Sequence, residues 1–252
     1  MARVSSTSLS SRFAAALPPR AVAAAVRAVY PRVEPELARL GSYAPRGGTA
    51  VDVGAWYGPW TRGLRRIADR VVAVEPVAEL ARCVSAAYPD VRVVEAVASD
   101  HAGTAELFLP PAGPGSGTSS VERGTGATVT VPRVPLDDLE LRDVRFMKID
   151  VEGHEVPALR GAERTVRRDR PLVLVELEER FQPVGPVLDL LAGWGCRPQV
   201  MPGDRWLPLD DFDLIGHQRA ALARVDQSLV RRVLRPRPRY VNMVLFRPEQ
   251  AR

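Results

Sequence analysis

Apolar residues come in short runs, separated by stretches in which they recur every three or four positions. TAVDVG (49–54) reads as a buried strand, PWTRGLRRIA (59–68) as a helix and RVVAVEP (70–76) as a second strand. VAELARCVSAAY (77–88) follows as a helix and VRVVEAVAS (91–99) as a third strand. The rhythm breaks over 101–140. There TAELFL and ATVTVPRV flank a Gly/Pro/Ser-rich stretch at 110–120, which predicts a β-hairpin excursion with a mobile tip. It resumes with a strand at 144–151, a helix at 156–168 and a strand at 171–177. A helix near 184–193, a strand at 196–201 and a last strand at 240–246 complete the pattern. Strands alternating with amphipathic helices predict an α/β fold built on a doubly wound, mostly parallel sheet.

Ahead of this pattern, residues 1–12 are Ser-rich and read as a loosely attached tail. From Phe13 to Leu40 the apolar spacing is helical, interrupted by Pro18-Pro19, Pro31 and Pro35. The reading is therefore an N-terminal tail and helical extension over 1–36 and one domain over 37–252.

Composition narrows the class. With 46% hydrophobic and 26% charged residues, the chain belongs among globular proteins. Arg20 and Arg27 interrupt the Ala-rich start, so no run nears the roughly 18 apolar residues of a membrane span. Pro18-Pro19 likewise cuts short any signal-peptide core. Two distant cysteines, Cys83 and Cys196, make neither a disulfide framework nor a zinc module, which fits a reducing cytoplasm. The net charge of +5 invites a nucleic-acid partner, but Lys148 is the only lysine among 35 basic residues. The arginines interleave with Asp and Glu except at Arg231, Arg232, Arg235, Arg237 and Arg239, so a solvated surface is the preferred reading.

The loop after the first strand carries the first chemistry. VDVGAWYGPW ends a strand and opens a helix, where doubly wound folds bind nucleotide-like ligands. A dinucleotide fingerprint would need Gly where Trp56 stands, and a phosphate-binding P-loop would need a lysine nearby. Asp52, Gly54, Ala55 and Gly58 instead form a tight turn beside a carboxylate, suited to a cationic ligand without phosphates such as S-adenosylmethionine. Glu75, at the end of the second strand, is placed to accept both ribose hydroxyls. Ser99 and Asp100, ending the third, are placed to meet the adenine amino group.

VDVGAWYGPWT, VVAVEP, AVASDHAGTAELF, SGTSSV, VPLDDL, FMKIDVEGHEVPALRGA, RPLVLVELEERF and YVNMVLF together resemble the FkbM family of S-adenosylmethionine-dependent methyltransferases, over roughly residues 37–248. The resemblance implies the class I methyltransferase (Rossmann-like) fold, a seven-stranded sheet with its last strand antiparallel. It also implies O-methylation of a small hydroxylated acceptor, a polyketide, sugar or other secondary metabolite. Trp56 departs from the Asn common at that position in the family, and residues 1–36 have no counterpart there.

Methyl transfer to an aliphatic hydroxyl needs an aligned acceptor and either a general base or a metal ion. Lys148, Asp150, Glu152 and His154 alternate at the end of the fourth strand, with Gly153 turning the chain. Asp150 is expected to border the methyl-transfer site and to contact the cofactor. Glu152 and His154 face the acceptor, His154 being the preferred general base because imidazole titrates near neutrality. Lys148 is expected to pair with a neighbouring carboxylate. Mg²⁺ held by Asp150 with Glu176 or Glu178 is the rival device, not the expected one. Two other functions compete: a nucleic-acid methyltransferase, whose usual motif loops are missing here, and a non-catalytic protein of the same fold.

Overall fold

All five residues of β1 (Thr49–Val53) are buried, because the strand is covered on both sheet faces. In this computed structural model, which describes residues 19–110, 120–121, 127–222 and 240–249, β1 pairs in parallel with β2 (Arg70–Val74) and β7 (Val144–Ile149). β3 (Arg92–Val94) extends the sheet beyond β2, and β8 (Leu172–Glu176) extends it beyond β7, both in parallel. β11 (Met243–Pro248) runs antiparallel to both β8 and β9 (Cys196–Val200). The order is β10-β9-β11-β8-β7-β1-β2-β3, in which β10 (Leu207–Pro208) adds a two-residue edge to the seven expected strands. This is the class I methyltransferase arrangement, with the last strand reversed as the resemblance implied.

The stretch 91–99 is not one strand. It breaks at Glu95-Ala96, and β4 (Val97–Ala98) leaves for a second sheet ordered β4-β6-β5. There β5 (Gly103–Phe108) and β6 (Thr128–Val134) form the expected antiparallel excursion. Its expected mobile tip, the Ser-rich tail and the 231–239 arginine cluster lie largely or wholly outside the described residues.

Helices cover both faces of the main sheet. On one side α6 (Glu155–Arg160), α7 (Glu163–Asp169) and α8 (Gly185–Gly193) pack Leu159, Val166 and Leu191 against Met147, Val173 and Val244. The other face takes α2 (Pro35–Ala38), α3 (Leu40–Tyr43) and α4 (Pro59–Leu64), through Leu37, Leu40, Trp60 and Leu64. α1 (Pro19–Val29) and α5 (Ala78–Ala87) meet the second sheet, with Ala23, Val26 and Leu80 against Val97, Leu107 and Val131. α9 (Leu214–Leu222), which the sequence pattern did not announce, buries Gln218; its Nε2 donates to Leu177 O at 2.7 Å and holds the end of β8. No helix of the described residues is long and apolar enough to cross a membrane.

Candidate active site

The carboxyl edge of the parallel strands gathers most of the residues singled out above. β1 ends in Asp52-Val53-Gly54, and Gly54 has φ +75° with Asp150 O only 1.9 Å from where a Cβ would stand. Only glycine lets the two strand ends approach so closely. The amides of Gly54 and Ala55 donate to Val74 O at 2.9 and 3.2 Å, fixing the turn onto β2. Gly58 caps the N-terminus of α4, and Thr61 in that helix donates to Asp52 Oδ2 at 2.5 Å.

Glu75 follows β2 and is buried. Its Oε2 accepts from the Trp56 amide at 2.8 Å and its Oε1 from the Val77 amide at 3.0 Å. Burial outweighs those bonds and lifts its carboxyl to about 7. Trp56 itself holds φ +52°, a strained conformation for a bulky residue, which aims its amide at Glu75.

Lys148 lies across from Asp52 in the β1–β7 register. Its Nζ donates to Gly54 O at 3.0 Å and sits 3.0 Å from Asp150 Oδ2 and 3.7 Å from Asp52 Oδ1. Burial works against that charge, yet Asp150 and Asp52 more than restore it and the ammonium is held above its ordinary pKa. Asp52 Oδ1 is buried with no hydrogen-bond partner, and burial raises the group. At Asp150 burial is outweighed by Lys148, so this carboxylate is held down.

At the end of β8, burial and then the Asp150 charge push Glu176 well up, so its carboxyl shares a hydrogen bond with Asp150. Asn242 Nδ2 donates to both Glu176 and Glu178, and Tyr240 OH donates to Glu178 Oε2 at 3.0 Å. Arg180 pairs with the same Glu178 carboxylate. The described residues contain no group of three or more His, Cys, Asp or Glu side chains fit to hold a metal ion. Of the residues in the rival Mg²⁺ reading, Asp150 is bonded to Lys148 and Glu176, and Glu178 accepts from Asn242, Arg180 and Tyr240.

Beyond Asp150 the chain turns as Gly153 suggested. Glu152 takes φ +26°, its carbonyl accepts from Ser120 Oγ at 2.8 Å, and burial with the charge of Asp150 raises its carboxyl to about 8. His154 caps α6 and is only 4% exposed, with its Nε2 3.0 Å from Ser99 Oγ. Ser99 is fully buried, whereas Asp100 is exposed and 2.6 Å from His101 Nδ1. Both end β4 in the second sheet; the residue that follows the third strand of the main sheet is Glu95.

Sequence reasoning missed two contributors from the segment before β1. Trp60 Nε1 donates to Glu34 Oε2 at 2.6 Å, and the ring of Tyr30 lies 5.5 Å from that of Trp56. The available signal was a lone carboxylate wedged between Pro31 and Pro35.

The family model of the methyltransferase FkbM domain matches residues 52–198. None of the curated proteins matches this chain. Among solved structures, the methyltransferase FkbM from Methylobacillus flagellatus KT superposes with a TM-score of 0.50 at 15% identity. That match covers 82% of this chain, which spans 45% of that longer one. A putative methyltransferase from Streptococcus mutans in complex with SAH gives a TM-score of 0.45 at 9% identity, covering 86% and 97% of the two chains. An SAM-dependent O-methyltransferase from Thermotoga maritima gives 0.45 at 12% identity, covering 87% and 66%.

Proposed function

This chain belongs to the FkbM methyltransferase domain family, and from that premise we propose that it moves a methyl group from S-adenosylmethionine to a hydroxyl of a small molecule. The donor's chemistry fits the residues present. Buried carboxyls outnumber buried cations, since Lys148 is the only buried Lys or Arg among the described residues. Asp52 Oδ1 lacks a hydrogen bond, and Glu75 keeps a free lone pair on each oxygen after accepting its two amides. Asp52, Glu75, Asp150 and the Gly54-Ala55 turn would hold such a ligand.

When bound, the donor supplies an electrophilic methyl on a positive sulfur; the new O–C bond forms as the S–C bond breaks, and its electron pair stays on sulfur. What remains for the protein is the acceptor's proton. Glu152 is the observation that carries this reading: a partly exposed carboxyl next to Asp150, on a strained turn, with a proton affinity matched to neutral pH. On sequence grounds His154 is the preferred base. Its burial and its bond to Ser99 favour a positioning role instead, locking the turn that presents Glu152.

The test is transfer of a labelled methyl from S-adenosylmethionine to a panel of hydroxylated small molecules, with purified RNA as a second acceptor set. Label on a hydroxyl oxygen of a small molecule is expected. Label only on RNA, or no donor consumption with any acceptor, would overturn the reading. Glu152→Gln should lower turnover by roughly 100-fold or more while S-adenosylhomocysteine affinity stays within about twofold.

A further inference from the structure

Tyr30 and Glu34 lie outside the family-matched residues 52–198, yet both contact residues within that span, Trp56 and Trp60. Tyr30 opens a one-turn 3-10 helix, Tyr30–Arg32, and Glu34 precedes Pro35 at the start of α2. The Tyr30 ring packs on Trp56, and Trp56 packs on Tyr57 with centroids 5.0 Å apart. Glu34 accepts from Trp60 Nε1 at 2.6 Å and from the Tyr30 hydroxyl. Arg27 closes a third tie by donating to Tyr57 O at 3.3 Å. This segment is thus fastened to the loop after β1 and to α4, the elements that flank the proposed donor. Both Tyr30 and Glu34 remain partly exposed. Among the described residues Glu34 has no ion pair, while Lys148 is already matched by Asp52 and Asp150.

We propose that Tyr30 and Glu34 determine specificity for the methyl donor: with Trp56 they form an aromatic and carboxylate wall that favours the positively charged sulfonium over its neutral thioether product. The inference rests on the methyltransferase reading above. An aromatic face attracts a cation through its quadrupole, and a carboxylate short of positive partners attracts it by charge; a neutral sulfur keeps only the weaker sulfur–aromatic contact. Burial and then Asp150 hold Glu34 at about 7, so an arriving cation would draw its proton off.

Calorimetry without any acceptor, using S-adenosylmethionine and S-adenosylhomocysteine, tests this. Wild-type protein should prefer the sulfonium. Glu34→Gln keeps an oxygen for the Trp60 indole and should lower sulfonium affinity about tenfold, with the thioether within about twofold. Tyr30→Leu keeps apolar packing on Trp56 and should erode the same preference several-fold, whereas Tyr30→Phe should retain it. A ratio of affinities unchanged in both Glu34→Gln and Tyr30→Leu would overturn the inference and leave the methyltransferase reading intact. Failure of wild-type protein to bind either ligand would overturn that reading itself.

Discussion

Lys148 is the chain's only lysine, and its ammonium is 2% exposed between two carboxylates and a backbone carbonyl. Asp150, two residues along, shares its side of the strand, and Asp52 faces it from β1. Removing one member of a buried ionic group leaves the others uncompensated, which costs far more than the group is worth intact. Lys148→Met should therefore lose about 3–5 kcal/mol of unfolding free energy. Urea titration measures it; a loss under about 1 kcal/mol would mean the two aspartates find water or another partner. Pairing of Lys148 with a carboxylate was legible from the alternation K-I-D. The part played by Asp52 was not, since it depends on the cross-strand register.

Among elements, those of the main sheet follow their sequence signals closely, while two boundaries do not. The run 91–99 carries Val91, Val93 and Val94 before Glu95-Ala96 and Val97 after it, with no Gly or Pro between them to mark a break. Distant pairing decides it, since β3 joins β2 while β4 joins β6 through Val97↔Arg133 and Ala98↔Val134. The helix expected over 156–168 is interrupted at Gly161-Ala162 between α6 and α7. There a Cβ on Gly161 would stand 1.9 Å from Ser99 O, so the helix pair can reach β4 only through a glycine. Gly161→Ala should force that turn apart and disturb the Ser99 contact of His154. A loss of about 1–3 kcal/mol, or more if the backbone cannot shift, is expected in thermal or urea unfolding. Unchanged stability would show that the approach of α7 to β4 is adjustable. Tyr30 and Glu34 escaped the sequence reading for a similar reason: the prolines around them signal where helices stop, not which site the intervening side chains reach.

At the scale of the whole molecule, a net charge of +5 conceals an interior rich in carboxyls. Burial is the largest cause raising Glu34, Glu75 and Glu155 to about 7 and Glu152 to about 8 from an ordinary 4.5, and it also pushes Glu176 well up. A carboxyl whose folded pKa exceeds its unfolded value binds its proton more tightly in the folded state. Its contribution is therefore fully present below pH 4.5 and is lost as pH rises through 7 to 8. Asp150 runs the other way, held down by Lys148, and its contribution is lost only in acid. In the window between about 4.5 and 8 the raised groups dominate, so ligand-free protein should lose stability steadily as pH rises through it. Saturating S-adenosylmethionine brings a positive charge to the same carboxyls and should flatten that slope, more than S-adenosylhomocysteine does. Urea unfolding at several pH values, with and without each ligand, measures both effects. A ligand-free stability that rises from pH 5 to pH 8 would mean that water or counter-ions reach these carboxyls and keep them ionised in the folded protein.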